Sequence, residues 1–425
     1  MGIVVLAIIS AIELALMTFS LVTQSRQEKI RGVIHIISFA AFVIFVAVSV
    51  IPWSFRWFGL ATLLFFLAVL ALWNLFLKPR WHIAEYKSGA IIFRALAILF
   101  LAFISLSPGL IFPPYHPLTV TGQYQVATAR FTYTDENRIE AFSTSGENRQ
   151  VNAVFWYPQE GDNAEIFPLV VFSHGGLGLE TSNESLYHEL ASHGYVVCSV
   201  GHPYHAFWTR GEDGGITLVS WAYFRELQEE NPQRDMQQSF RYYQKWMETR
   251  LGDINFVINT IVGNASNSAS GVYALVDVER IGVMGHSLGG SAALALPRLR
   301  DDIDAVIALE SPFLFDIAGV EGDQFVWTDQ VYPVPVLNVY SDSSWEHLAD
   351  WPQYSRNYAL LTDAPATAYN LYFPGRGHFS LTDLSLTSPF LVRLLEGGQA
   401  TRDPAAYLRD VNQACLEFFN HHLKD

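Results

Sequence analysis

The chain has 425 residues, half of them hydrophobic and only 16% charged, where a soluble domain averages about a quarter. The net charge of −15 hides two unlike parts: residues 1–112 carry eight bases and three acids, and residues 113–425 carry 18 bases and 38 acids. The acidic part argues against a nucleic-acid binder, which needs clustered lysine and arginine, and two cysteines make no disulfide framework.

Four apolar stretches come first: Gly2–Val22, Val33–Ile51, Trp57–Leu77 and Ala90–Phe112. Each is close to the roughly 20 residues a helix needs to cross the hydrocarbon core. A cleaved signal peptide fits poorly, because the start lacks a basic region and three further spans follow. Trp53, Trp57, Trp73 and Trp81 lie near span ends, where aromatic belts form. The first loop carries Arg26, Lys29 and Arg31, and the third carries Lys78, Arg80 and Lys87; the second has only Arg56. The positive-inside rule then places loops one and three in the cytoplasm, and everything beyond Pro113 on the periplasmic or exterior side. Glu13 falls inside the first span, read as a carboxyl that is protonated or faces another helix, with no relay partner at matching depth in the sequence. Arg94 is expected to snorkel to the cytoplasmic edge.

The Pro-rich FPPYHPL (112–118) marks the passage from a membrane module at 1–112 to a linker at 113–122. From 123 to 425 the pattern changes to short apolar runs: VNAVFWYP, FPLVVFSHGG, GYVVCSVGHP, RIGVMGHS, IDAVIALES, VPVLNVYSD and TAYNLYFPGRGH. Helix-like segments lie between several of them: SLYHELASH, FRYYQKWMETRLGDINFVINTIV and GGSAALALPRLR. Alternating strand and helix predicts an α/β fold, a mostly parallel sheet with helices on both faces. Residues 203–243, aromatic and charged, interrupt the rhythm as an insertion that either walls a pocket or is a plain surface loop. NASNSASG (264–271) reads as a flexible loop. Cys198, in a strand-like run, and Cys415, in a helical tail, read as small buried residues without metal-ligand spacing.

The chemistry gathers at Gly285-His286-Ser287-Leu288-Gly289. This G-x-S-x-G follows the strand-like RIGVM and precedes the helix-like SAALAL, the context of a nucleophile elbow. The turn lifts the Ser287 hydroxyl above the sheet and aims the Leu288 N–H at the place where an oxyanion would form. Upstream, FSHGGLG (172–178) is placed to supply a second backbone donor, Gly176 or its neighbour Leu177, with His174 shaping the loop. The base is expected after the serine. Of His347, His378, His421 and His422, His378 sits in a Gly-rich loop directly after a strand, while His421 and His422 lie on a solvent-facing tail. For the orienting acid, Glu310 and Asp342 both end strands, and the residues alone do not choose between them.

The chain from about Tyr133 to His378 resembles the platelet-activating factor acetylhydrolases of the plasma and intracellular type II kind, and bacterial relatives related to dienelactone hydrolases. The resemblance rests on YTDENRIEAF followed by FWYP, VVFSHGGLG, LASHGYVVCSVGHP, SWAYFREL, DVERIGVMGHSLGG, AVIALESP, PVPVLNVYSD and GRGHFS, in the family's order. It implies an α/β-hydrolase fold and a serine esterase acting on short or oxidised acyl esters, commonly of phospholipids, without cofactor or metal. It also favours Glu310 as the acid, in a stretch where the family carries aspartate, and Gly176 as the second oxyanion donor. The expected partners are an amphipathic or lipid ester and the bilayer. Rival readings are a peptidase or thioesterase on the same fold, a non-catalytic receptor or scaffold on it, and a channel with a hydrolase appendage.

Overall fold

The computed structural model describes residues 2–77, 86–159, 165–268, 271–398 and 400–425. Lys78, Arg80 and Trp81, used above for orientation and for the aromatic belt, lie outside them. The chain divides into two compact units, Met1–Tyr115 with Thr387–Leu391, and His116–Leu386 with Val392–Asp425.

The first unit holds helices α1 (Gly2–Val22), α2 (Glu28–Ala47), α3 (Phe58–Leu72) and α4 (Ser88–Ile111). Among the described residues, four helical segments are long and apolar enough to cross a membrane: Gly2–Val22, Glu28–Ala47, Phe55–Phe76 and Ser88–Ile111. Their outward side chains, such as Ile3, Phe66 and Phe93, are exposed, a surface that suits hydrocarbon and not water. With no hydrophobic drive between helices in lipid, close approach depends on small residues. Gly59 on α3 sits against the Ser105 backbone of α4, and Ala95 and Ala102 are fully buried.

Three expectations change here. Helix α2 begins five residues before the apolar run, at Glu28, because a charged first turn costs nothing at a helix end and an acid there favours the helix dipole. Trp57 packs inside the bundle with Phe42, Ile51, Leu60, Leu64 and Leu106, and so belongs to no belt. Glu13 does have partners at its own depth: His35 Nε2 lies 2.8 Å from Oε1 and Arg31 Nη1 lies 3.4 Å from Oε2, all three residues being buried.

The second unit is built on strands β1 (Val126–Ile139), β2 (Asn148–Pro158), β3 (Phe167–Ser173), β4 (Val196–Gly201), β5 (Trp208–Arg210), β6 (Ile216–Leu218), β7 (Val276–His286), β8 (Ala305–Leu309), β9 (Ile317–Glu321), β10 (Gln324–Trp327), β11 (Val336–Tyr340) and β12 (Ala368–Tyr372). Eight form one sheet in the order β1-β2-β4-β3-β7-β8-β11-β12. It is parallel from β4 to β12, and β2 runs antiparallel to both its neighbours. This is the α/β-hydrolase sheet. The remaining strands pair as small ribbons, β5 with β6 and β9 with β10.

Alternation along the strands feeds two cores. Val151, Ala153, Phe155, Leu169, Val171, Val196 and Cys198 face one side with the 33-residue helix α7 (Met236–Ser268), labelled after α5 (Glu184–Ser192) and α6 (Trp221–Glu229). Val154, Trp156, Val170, Phe172 and Val197 face the other, with α5 and the C-terminal helix Pro404–Leu423. Cys198 and Cys415 are buried, free and on opposite faces of the sheet. The sequence reading missed β1, whose half-exposed residues carry no continuous apolar run. It also ended α7 too early. The helix continues through residues 264–268, where the Ser266 hydroxyl bonds back to the Val262 carbonyl and Ala265 packs on the core. His421 is exposed as expected, whereas the His422 ring is half-buried against Phe418 and Tyr369.

Candidate active site

Strand β7 runs at the middle of the sheet and ends at His286; helix α8 (Leu288–Ala295) starts two residues later. Ser287 alone makes the turn, at φ 54°, ψ −127°. A non-glycine residue held there costs on the order of 1–3 kcal/mol, sustained by surrounding structure. The Ser287 N–H donates to the Leu309 carbonyl at 2.9 Å, which ties the turn to β8. The glycines are needed for space. A Cβ on Gly289 would fall on the carbonyl oxygens of Ser173 and His174, and one on Gly285 on the Gly289 backbone. Gly289→Ala is therefore expected to lower stability by on the order of 4 kcal/mol, read as loss of folded protein or a large fall in melting temperature.

Ser287, Leu288, Gly176, Glu310 and His378 line one cavity of about 420 Å³. His378 Nδ1 lies 2.8 Å from Glu310 Oε2. A carboxylate only accepts, so Nδ1 donates and Nε2 remains for another partner. Glu310 is 1% exposed, at φ 50°, and also accepts from the Ser341 N–H at 3.1 Å and from the Ser341 and Ser344 hydroxyls. Burial by itself would raise this carboxyl; the His378 bond and charge, with the serine hydroxyls, outweigh it and hold it down to about 2. Asp342 is turned away. It is exposed and accepts from Tyr372 Oη at 2.6 Å and Gly375 N–H at 2.9 Å, which shapes the loop that carries His378. His347 is exposed, its ring stacked on Trp351.

The two upstream donors also separate. The Leu177 N–H donates to the His205 carbonyl at 3.2 Å, at φ 60°. The Gly176 N–H has no partner among the described residues and Gly176 lines the cavity. The Leu288 N–H, at the first residue of α8, has no intrahelical acceptor. Gly176 and Leu288 line the same cavity.

What holds the Gly176 loop is a feature the sequence did not point to. Arg250, on α7 and 0% exposed, donates to the carbonyls of His174 and Gly175, the latter at 3.1 Å. Next to it, Asp253 takes the Arg149 guanidinium on both oxygens at 2.7 Å and His202 Nδ1 at 3.0 Å. These partners overcome the effect of burial and keep Asp253 ionised. His174 is buried with Nδ1 at 2.8 Å from the Gly175 carbonyl, and burial first, then Arg250, pushes it well below the ordinary histidine value. Only the long-range pairing of α7 with β3 brings these groups together. The other walls come from the insertion and beyond: Leu227 and Glu230, then Tyr243 and Trp246 on α7, and Trp351 and Tyr354. Part of residues 203–243 thus does wall a cavity.

Several histidines here are buried neutral, and this has a sign. Burial, then Arg250, holds His205 well below the ordinary value, and burial, then His378, holds His286 down to about 3. As pH falls below about 6.5 the unfolded chain binds protons that the folded chain refuses, so stability is lost toward acid. His205 stacks on Tyr223 at 3.8 Å, and neither of its ring nitrogens has a partner among the described residues. His205→Phe keeps the stack and removes the proton site. Between pH 6 and 4 its stability is expected to fall less steeply than the wild type's, by close to one proton or about 1.4 kcal/mol per pH unit, measured as melting against pH.

The family described as platelet-activating factor acetylhydrolase, isoform II, matches residues 150–425. Cutinase 1 of Thermobifida cellulosilytica is 26% identical over 185 residues, covering 44% of this chain and 52% of its own. The probable 1-alkyl-2-acetylglycerophosphocholine esterase of Arthroderma benhamiae is 27% identical over 203 residues, covering 44% of this chain and 43% of its own. The chain spans about half the length of these curated relatives. Among solved structures, a ferulic acid esterase from Streptomyces cinnamoneus matches with a TM-score of 0.53 at 20% identity, over 72% of this chain and 92% of that one. At that identity the likeness speaks to the fold.

Proposed function

The chain belongs to the platelet-activating factor acetylhydrolase isoform II family, and from that premise we propose that it is a membrane-anchored serine carboxylesterase acting on short-acyl or oxidised-acyl esters, phospholipid esters among them. One observation carries the reading: Ser287, on a strained elbow, shares a cavity with His378, whose Nδ1 is held by the buried Glu310. In this mechanism Ser287 Oγ attacks the ester carbonyl while His378 Nε2 takes its proton. Glu310 keeps the imidazole in that tautomer and stabilises the imidazolium. The Leu288 and Gly176 N–H groups receive the oxyanion of the tetrahedral intermediate. His378 returns the proton to the leaving alcohol, and water then attacks the acyl-serine with His378 as base.

The cavity's walls support an amphipathic substrate, with Leu227, Trp246, Trp351 and Tyr354 on its sides. The four candidate spans would keep the site beside a bilayer. The basic residues of the first loop support, by the positive-inside rule, an extracytoplasmic hydrolase unit. The full chain in detergent, assayed against p-nitrophenyl esters of increasing acyl length and then against a short-acyl phospholipid, tests this. Activity that peaks at short chains and extends to the phospholipid is expected. A preference for amides or thioesters, or no ester hydrolysis, would overturn it.

A further inference from the structure

A second polar site lies in the four-helix unit, apart from the ester chemistry. Arg26, Arg31 and Arg94 line one small cavity of about 110 Å³, together with Ala90 and Ile91. Arg31 is 2% exposed. The carboxylate of Glu13, itself gripped by His35, holds it by one arm. Glu28 lies 3.7 Å from Arg26. No ion pair of Arg94 is among those of the described residues, although the charges of Glu13 and Glu28 both act on it.

Snorkelling alone explains this poorly. Arginines that only seek water spread apart at the membrane edge, whereas these three converge on one volume, where Glu13 and Glu28 offset two of the three charges and leave one in excess. Two helix N-termini add to the positive field. Arg26 and Arg31 flank the start of α2, and Ala90 and Ile91 belong to the first turn of α4. A cluster of guanidinium forks at helix starts is suited to a tetrahedral oxyanion. The volume holds one phosphate group and little more. Arg94 is exposed, which leaves the site open along the side of the helices.

We propose that Arg26, Arg31 and Arg94 form a phosphate site at this end of the helical unit, filled by the phosphate ester of an anionic lipid headgroup or by free phosphate. Glu13 and His35 act as the brace that fixes Arg31 toward it. The site does not depend on the esterase reading.

The test uses the full chain in detergent, exposed to phosphatidylglycerol, phosphatidylcholine or inorganic phosphate. Retained lipid is read by native mass spectrometry, and melting is followed in parallel. Phosphatidylglycerol is expected to be retained at least ten-fold over phosphatidylcholine, and inorganic phosphate to displace it. The Arg26→Gln/Arg94→Gln double variant should lose that retention while eluting and melting as a folded protein. Should the double variant not fold, Arg94→Gln alone is expected to weaken retention several-fold. Stabilisation by inorganic phosphate without lipid retention, lost in the variants, would make free phosphate the ligand. Equal retention of the two lipids with no effect of phosphate, or unchanged retention in the variants, would overturn the proposal.

Discussion

Ser287→Ala in the full chain is expected to lower kcat for a short-chain p-nitrophenyl ester by on the order of 10⁴–10⁶-fold while leaving the melting temperature unchanged or raised. In the proposed mechanism Ser287 is the residue at the elbow that forms the acyl-enzyme. The neighbouring hydroxyl, Ser291, sits one helical turn on and is fully buried, its Oγ directed to the Ser287 carbonyl at 3.4 Å. The stability side follows from the backbone. Ser287 sits at φ 54° by constraint of its surroundings, and removing a hydroxyl there loses no bond that the fold depends on. Full activity in the variant would remove the nucleophile, and with it the esterase mechanism.

Glu310→Gln is expected to cost about 10³–10⁴-fold in kcat, and Asp342→Asn less than about ten-fold. The two carboxylates end neighbouring strands, but only Glu310 touches the imidazole. Its amide would keep the shape and lose the charge that stabilises the imidazolium. Asp342 acts at a distance, by tying Gly375, in the loop before His378, and Tyr372, at the end of β12. Because Glu310 is held down to about 2, it stays ionised across any practical assay, so the acid limb of a pH–rate profile will not come from it. If the large loss fell on Asp342→Asn instead, the acid would have to be reassigned. Glu310→Asp, one methylene shorter, should fall between the two, because the strained backbone at φ 50° cannot slide forward to restore the bond.

The local signals were legible wherever a residue's role depends on its neighbours in the chain. Short apolar runs with turn residues marked seven of the eight strands of the main sheet, and G-x-S-x-G between a strand and a helix marked the elbow. Length and hydropathy marked four candidate spans, since a bilayer imposes one dimension on any helix that crosses it. Half-exposed β1 and the end of α7 were not legible, because partly solvated strands and Asn/Ser-rich helix ends have weak patterns of their own and are decided by what they pack on.

By itself, then, the sequence determined that an acidic α/β unit follows an apolar helical one, that a serine stands on an elbow, and that His378 follows a strand. Only the tertiary structure decided which carboxylate meets His378, which N–H is free at the Gly176 loop, that Arg250 grips that loop, and that Glu13 is braced by Arg31 and His35. The reason is distance along the chain. Periodicity and turn chemistry act over a few residues, whereas these contacts join residues 18 to 76 positions apart and exist only once sheet order and helix packing have closed the loops between them.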